Sequence, residues 1–99
     1  QETMAYKAYN VIAAKNDAHG IKCLADMVYT GNGTERDPQT ALRMYTMAAN
    51  MGERSSMFIL GEFIKQTNPY LAAYWYGVSH SRGYEHSLYR LYQLANEQA

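Results

Sequence analysis

The residues of this sequence that could do chemistry fall in three places. Cys23, in "GIKCLADM", would be a nucleophile if a base lay beside its thiol. The stretch "HSRGYEH" gathers His80, Arg82, Tyr84, Glu85 and His86, which include imidazole and carboxylate groups of the kind that ligate zinc. Between them, "YTGNGTERDP" carries a G-x-G at Gly31 and Gly33, a pattern that elsewhere opens a phosphate-cradling loop. Each meets an obstacle. Cys23 stands one residue before the core-type Leu24, where a cysteine reads as a small buried hydrophobe. Zinc needs three or four ligands fixed by the fold, whereas His80 and His86 flank a Gly turn with only Glu85 and His19 to join them. A phosphate loop follows a strand and is completed by a third Gly or a Gly-Lys-Ser/Thr, but Thr34, Glu35 and Arg36 come next here. The sequence therefore predicts no catalytic residue, no cofactor site and no metal site.

What positions these residues is a set of helices marked by punctuation. Asp37 followed by Pro38 is a helix start: Asp accepts from the first free N–H groups, and Pro at the first helical position loses nothing. Ala41, Met44, Tyr45, Ala48 and Ala49 then recur at three- and four-residue spacing, and Gly52 closes the run. The plan returns 31 residues later at Pro69, Ala72, Tyr76 and Gly83, with Asn68 as the cap. The intervening helices return at 36 residues, Leu24, Met27 and Val28 against Leu60, Phe63 and Ile64, and Gly20 against Ser56. Ala5, Tyr9, Ala13 and Asn16 precede Ala41, Tyr45, Ala49 and Gly52 by the same 36. Ser87 and Leu91 follow Ser56 and Leu60 by 31. One copy has "TGNGTERDP" in its loop and the other only "QTNP", so the Gly-Asn-Gly reads as a turn. The expected helices are 3–15, 18–30, 38–51, 54–66, 69–81 and 84–97.

Composition narrows the function classes. The chain has 99 residues, 47% hydrophobic and 18% charged, which fits one globular domain over 1–99 rather than a disordered segment. Nine basic and nine acidic side chains cancel, so no nucleic-acid or anionic-membrane footprint is expected. No apolar run approaches the roughly 20 residues of a membrane span. A single cysteine excludes an internal disulfide and a cysteine-based zinc site.

The spacing and residue types resemble the Sel-one-like repeat of the tetratricopeptide-repeat superfamily, in a short bacterial-type form. Leu24, Gly31, Gly33, Asp37, Ala41, Tyr45, Ala48, Ala49 and Gly52 match its pattern in the first copy. Leu60, Gly61, Ala72, Trp75, Tyr76 and Gly83 match it in the second. Ala25 replaces the helix-packing Gly, Val28 the Tyr, Thr34 the Val after the G-x-G, and Ser79–His80 the Ala pair. The resemblance implies an all-α fold, a right-handed superhelix of about six antiparallel helices, with two full helix-turn-helix repeats and half repeats at both ends. It also implies a solenoid that binds proteins or peptides rather than an enzyme.

Aromatic content is the functional clue. Ten Tyr stand against two Phe and one Trp. Tyr9, Tyr45 and Tyr76 hold the packing position of the pattern and are expected in the core. Tyr70, Tyr74, Tyr84, Tyr89 and Tyr92 are surplus to it: they either pack partly against the terminal helix or stand exposed as anchors for a partner. Tyr70, Tyr74, His80, Arg82, Tyr84, Glu85, His86 and Tyr89 form the expected protein-binding set. With about two and a half copies, the chain suits one compact surface. The first expectation is a non-enzymatic inhibitor or immunity-type protein that neutralises one cognate bacterial toxin or hydrolase. The second is a piece or small member of a solenoid adaptor family, with self-association through its terminal seams. An enzyme such as a hydrolase is the third, and would need Cys23 joined to a His and a carboxylate in a deep pocket. The chain starts at Gln1; if that follows signal cleavage, the protein is periplasmic or secreted, with the cytoplasm as the alternative.

Overall fold

The computed structural model describes residues 4–98, and over them the chain is all-α. Six helices follow one another: α1 (Met4–Ala14), α2 (Ala18–Thr30), α3 (Pro38–Asn50), α4 (Arg54–Ile64), α5 (Pro69–Ser81) and α6 (His86–Gln98). The chain divides into two compact units, Gln1–Glu53 and Arg54–Ala99.

In the first unit Asn16, at φ 55°, takes the left-handed conformation that ends α1, and Asp17 starts α2 by accepting from the Gly20 N–H at 2.9 Å. Gly31 and Gly33, both at φ 81°, turn the chain after α2. The Asp37 N–H then returns to the Val28 carbonyl at 2.9 Å, so the Gly-Asn-Gly segment is an inter-helix turn. Asp37 caps α3 through the Thr40 N–H at 3.2 Å and the Thr40 hydroxyl at 2.6 Å, with Pro38 in the first turn. Those bonds from Thr40 hold the Asp37 carboxyl below its ordinary range. Ile21, Leu24, Ala25 and Val28 of α2 are buried, as are Ala41, Met44, Tyr45, Ala48 and Ala49 of α3, and the two helices pack together. The many alanines let the helix axes approach closely. Each large apolar side chain removed from water contributes about 1.5–3 kcal/mol. Ala5 of α1 joins this core, whereas Tyr9 is only half-buried: α1 packs on α2 without burying its ring fully.

The second unit reuses the same devices. Asn68 caps α5 by accepting from the Leu71 N–H at 3.2 Å, with Pro69 in the first turn. Ala72, Tyr76 and Leu94 form its core, with Phe58, Ile64, Ala73 and Leu91 packed against them. At Gly61 α4 and α5 meet tightly, since a Cβ added there would stand 2.6 Å from Cε1 of the fully buried Tyr76 of α5. Three serines are also fully buried: Ser56, Ser79 and Ser87. The Ser87 hydroxyl donates to Ser79 Oγ at 2.8 Å and the Ser79 hydroxyl to the Arg54 carbonyl at 2.8 Å, so Ser79 links α6, α5 and the start of α4.

Two helix boundaries differ from those expected by two residues. α4 stops at Ile64, not 66: the Thr67 N–H bonds back only three residues, to the Ile64 carbonyl at 3.1 Å, so the chain tightens into a turn before the cap of α5. α6 begins at His86, not 84, because the Tyr84 ring turns onto Phe58, centroids 5.3 Å apart. The other ends agree within one residue, and residue 3 of the expected first helix lies outside the described residues.

Candidate protein-binding surface

Each unit first locks its hairpin with a tyrosine–carboxylate couple at the 36- and 31-residue spacings. The Tyr45 hydroxyl donates to Asp26, which also pairs with Lys22 at 2.8 Å. The Tyr76 hydroxyl donates to Glu62 Oε2 at 2.6 Å, and Arg90 Nε reaches the same oxygen at 2.7 Å. Burial, then the bond to the carboxylate, pushes both phenols well above their ordinary range. Burial would raise the Glu62 carboxyl too, but hydrogen bonds from Arg90 and Tyr76 outweigh it and hold Glu62 below its ordinary value. Arg90 also lies over the Phe58 ring, 5.8 Å from its centroid. These groups are engaged in holding helices together, and the chemistry they offer is structural.

The eight residues expected to bind a partner fall into separate groups. Tyr70 and Tyr74 stand on one face of α5, 81% and 58% exposed, and Tyr70 borders Leu91, Leu94 and Ala95 of the terminal helix. His80, ten residues along α5 from Tyr70, is exposed near its other end, about 15 Å away. Around the turn, Arg82 gives its carbonyl to Arg54 Nη1 at 3.0 Å, and Glu85 is exposed. Tyr84 is half-buried, its ring 5.5 Å from that of His86, with Phe58 beside both. On α6, Tyr89 is exposed and its hydroxyl accepts from Gln93 Nε2 at 3.3 Å. The Tyr84–His86 pair is therefore partly packing, and Tyr70, Tyr74 and Tyr89 carry the open aromatic surface.

Beside Tyr70 lies an apolar cleft of about 160 Å³, lined by Pro69, Tyr70, Ala73, Leu91, Leu94 and Ala95. Its size is that of an engineered apolar cavity that holds one benzene. One turn beyond Ala73, Gly77 has nothing within 4 Å of the position a Cβ would take, so the α5 side stays open. Sequence reasoning missed this cleft. Its signal was a second apolar stripe on the last helix, Leu88, Leu91, Tyr92 and Ala95, wider than one core contact requires.

Cys23 is exposed, which corrects its expected burial. It shares an outer face of α2 with His19 and Met27, and its Sγ lies 3.5 Å from His19 Nε2. Leu24, one residue on, points a third of a turn away into the core. Among the described residues no three His, Cys, Asp or Glu side chains are grouped to hold a metal ion, and no helix is long and apolar enough to cross a membrane. No protein-family model, no curated protein and no solved structure matches the chain.

Proposed function

We propose that this chain is a non-enzymatic protein-binding module of the Sel-one-like repeat type. In this reading it is a dedicated inhibitor or immunity-type protein that occludes one cognate toxin or hydrolase in the periplasm or outside the cell. The observation that carries it is the exposed Tyr70–Tyr74 face beside the apolar cleft, on a helix that holds no Asp, Glu, Lys or Arg. Large aromatic side chains beside a pocket are the usual anchors of a binding hot spot. The second reading, a small solenoid adaptor, is favoured by the exposed stripe of Leu88 and Tyr92 on α6.

Affinity capture from native cells, with periplasm and cytoplasm processed separately, tests the proposal. One stoichiometric partner whose activity is abolished in the complex supports the inhibitor; full activity in the complex removes it. Several substoichiometric partners support the adaptor. Tyr70→Ala with Tyr74→Ala should weaken capture by at least about 2 kcal/mol. Both side chains are exposed, so the stability of the free protein should change by no more than about 0.5 kcal/mol per substitution.

A further inference from the structure

The cleft beside Tyr70 is sunk into the edge of the second unit's core. Leu94, itself a core residue, lines it, together with Leu91 and Ala73, which pack against that core. Walls of this kind stand in place before a ligand arrives.

The cleft is one helical turn long. It runs along α5 from Pro69 to Ala73 and along α6 from Leu91 to Ala95, four steps of each helix or about 6 Å. The apolar stripe of a docking helix covers seven steps, roughly 10 Å, and overruns it. One side chain does not. The volume of about 160 Å³ matches the roughly 150 Å³ in which an apolar cavity holds a single benzene.

The walls narrow the choice of side chain. Pro69, Ala73, Leu91, Leu94 and Ala95 offer no polar side-chain atom, and α5 carries no Asp, Glu, Lys or Arg. Lys65, Arg90 and Glu97 border a separate small hollow that shares only Leu94 with the cleft. A charged side chain would therefore enter unpaired, and a tyrosine would bury its hydroxyl against carbon. An indole is larger than the space. A branched aliphatic chain fits by volume, but only an aromatic ring gains the edge-to-face contact that Tyr70 offers at the rim.

We propose that the cleft is the socket for one phenylalanine side chain of the partner protein. This rests on the protein-binding reading above and adds what the partner presents: an exposed phenyl ring that seats between α5 and α6 while Tyr70 closes over its edge.

The test is a titration of the whole chain with N-acetyl-phenylalaninamide and its tyrosine and leucine analogues, read from the NMR methyl signals of Leu91 and Leu94. The phenylalanine probe should bind in the millimolar range, the tyrosine probe about tenfold more weakly and the leucine probe at least about twofold more weakly. Tyr70→Leu should erase the margin of phenylalanine over leucine. Ala95→Leu, at an exposed position, fills the cleft and should abolish binding with the helices intact by circular dichroism. No shift of those methyl signals, equal binding of the phenylalanine and tyrosine probes, or unchanged binding by Ala95→Leu overturns the proposal. So does self-association of the wild-type chain that Ala95→Leu abolishes, which would give the cleft to a second copy. Capture of a partner that survives Ala95→Leu but not Tyr70→Ala with Tyr74→Ala would sink the socket and leave the binding surface standing. Capture indifferent to both tyrosines would remove the surface itself.

Discussion

Glu62 receives the Tyr76 hydroxyl and the Arg90 guanidinium on one oxygen, with Lys65 3.6 Å from the other. Because these partners hold its carboxyl below the ordinary 4.5, the unfolded chain binds a proton more readily than the folded one. Its contribution is therefore complete above pH 4.5 and is lost as pH falls further, through the folded-state value. The group is partly exposed, so the effect is modest. Glu62→Gln should cost about 1 kcal/mol at neutral pH, and its urea midpoint should approach that of the wild type as pH falls below 4.5. A constant gap down to pH 3 would show that packing, not charge, makes the difference. Asp37, also held low, titrates in both proteins and cancels from the comparison. Single residues were unevenly legible in sequence. Tyr45 and Tyr76 read as core because their spacing recurs, and both are buried. Cys23 was misread because adjacency to a core leucine says nothing about helical phase, whereas its four-residue spacing from His19 pointed outward.

At the scale of helices, the capping pairs were the clearest text. Asp37–Pro38 and Asn68–Pro69 open α3 and α5 with the same bond, in which the third N–H along donates to the cap's side-chain oxygen. Local rules suffice for such a feature, since capping and proline geometry are settled within one turn. The start of α6 was not legible in this way, because Tyr84 leaves the helical path to reach Phe58, a residue 26 positions earlier. The cleft beside Tyr70 was illegible for a related reason, as it needs α5 and α6 placed together. Close approach of paired helices yields its own expectation. Gly61→Ala gains about 0.5–1 kcal/mol of helix propensity, but its methyl meets the ring of Tyr76, which Glu62 holds in place. Overpacking of that kind costs about 1–3 kcal/mol, so a net loss of up to about 2.5 kcal/mol is expected. A lower thermal midpoint in calorimetry checks it; an unchanged or higher midpoint would mean that α4 and α5 separate freely.

For the molecule as a whole, the balance of nine basic and nine acidic side chains bears on how a partner is recognised. The proposed surface on α5 is uncharged, so its complex should rest on apolar burial and tyrosine hydroxyls rather than on charge steering. Raising the salt from about 50 mM to about 500 mM shortens the range of exposed charges severalfold and should change the affinity by less than about threefold. A steep loss with salt would move the binding site to a charged face. Such titrations need no added dye. Trp75 is the one tryptophan of the chain, half-buried, with its indole edge-on to the exposed Tyr74 ring at 5.3 Å. Light emitted by that indole depends on the wetness of its surroundings, so a partner seated on Tyr74 would change the colour and yield of the protein's own fluorescence.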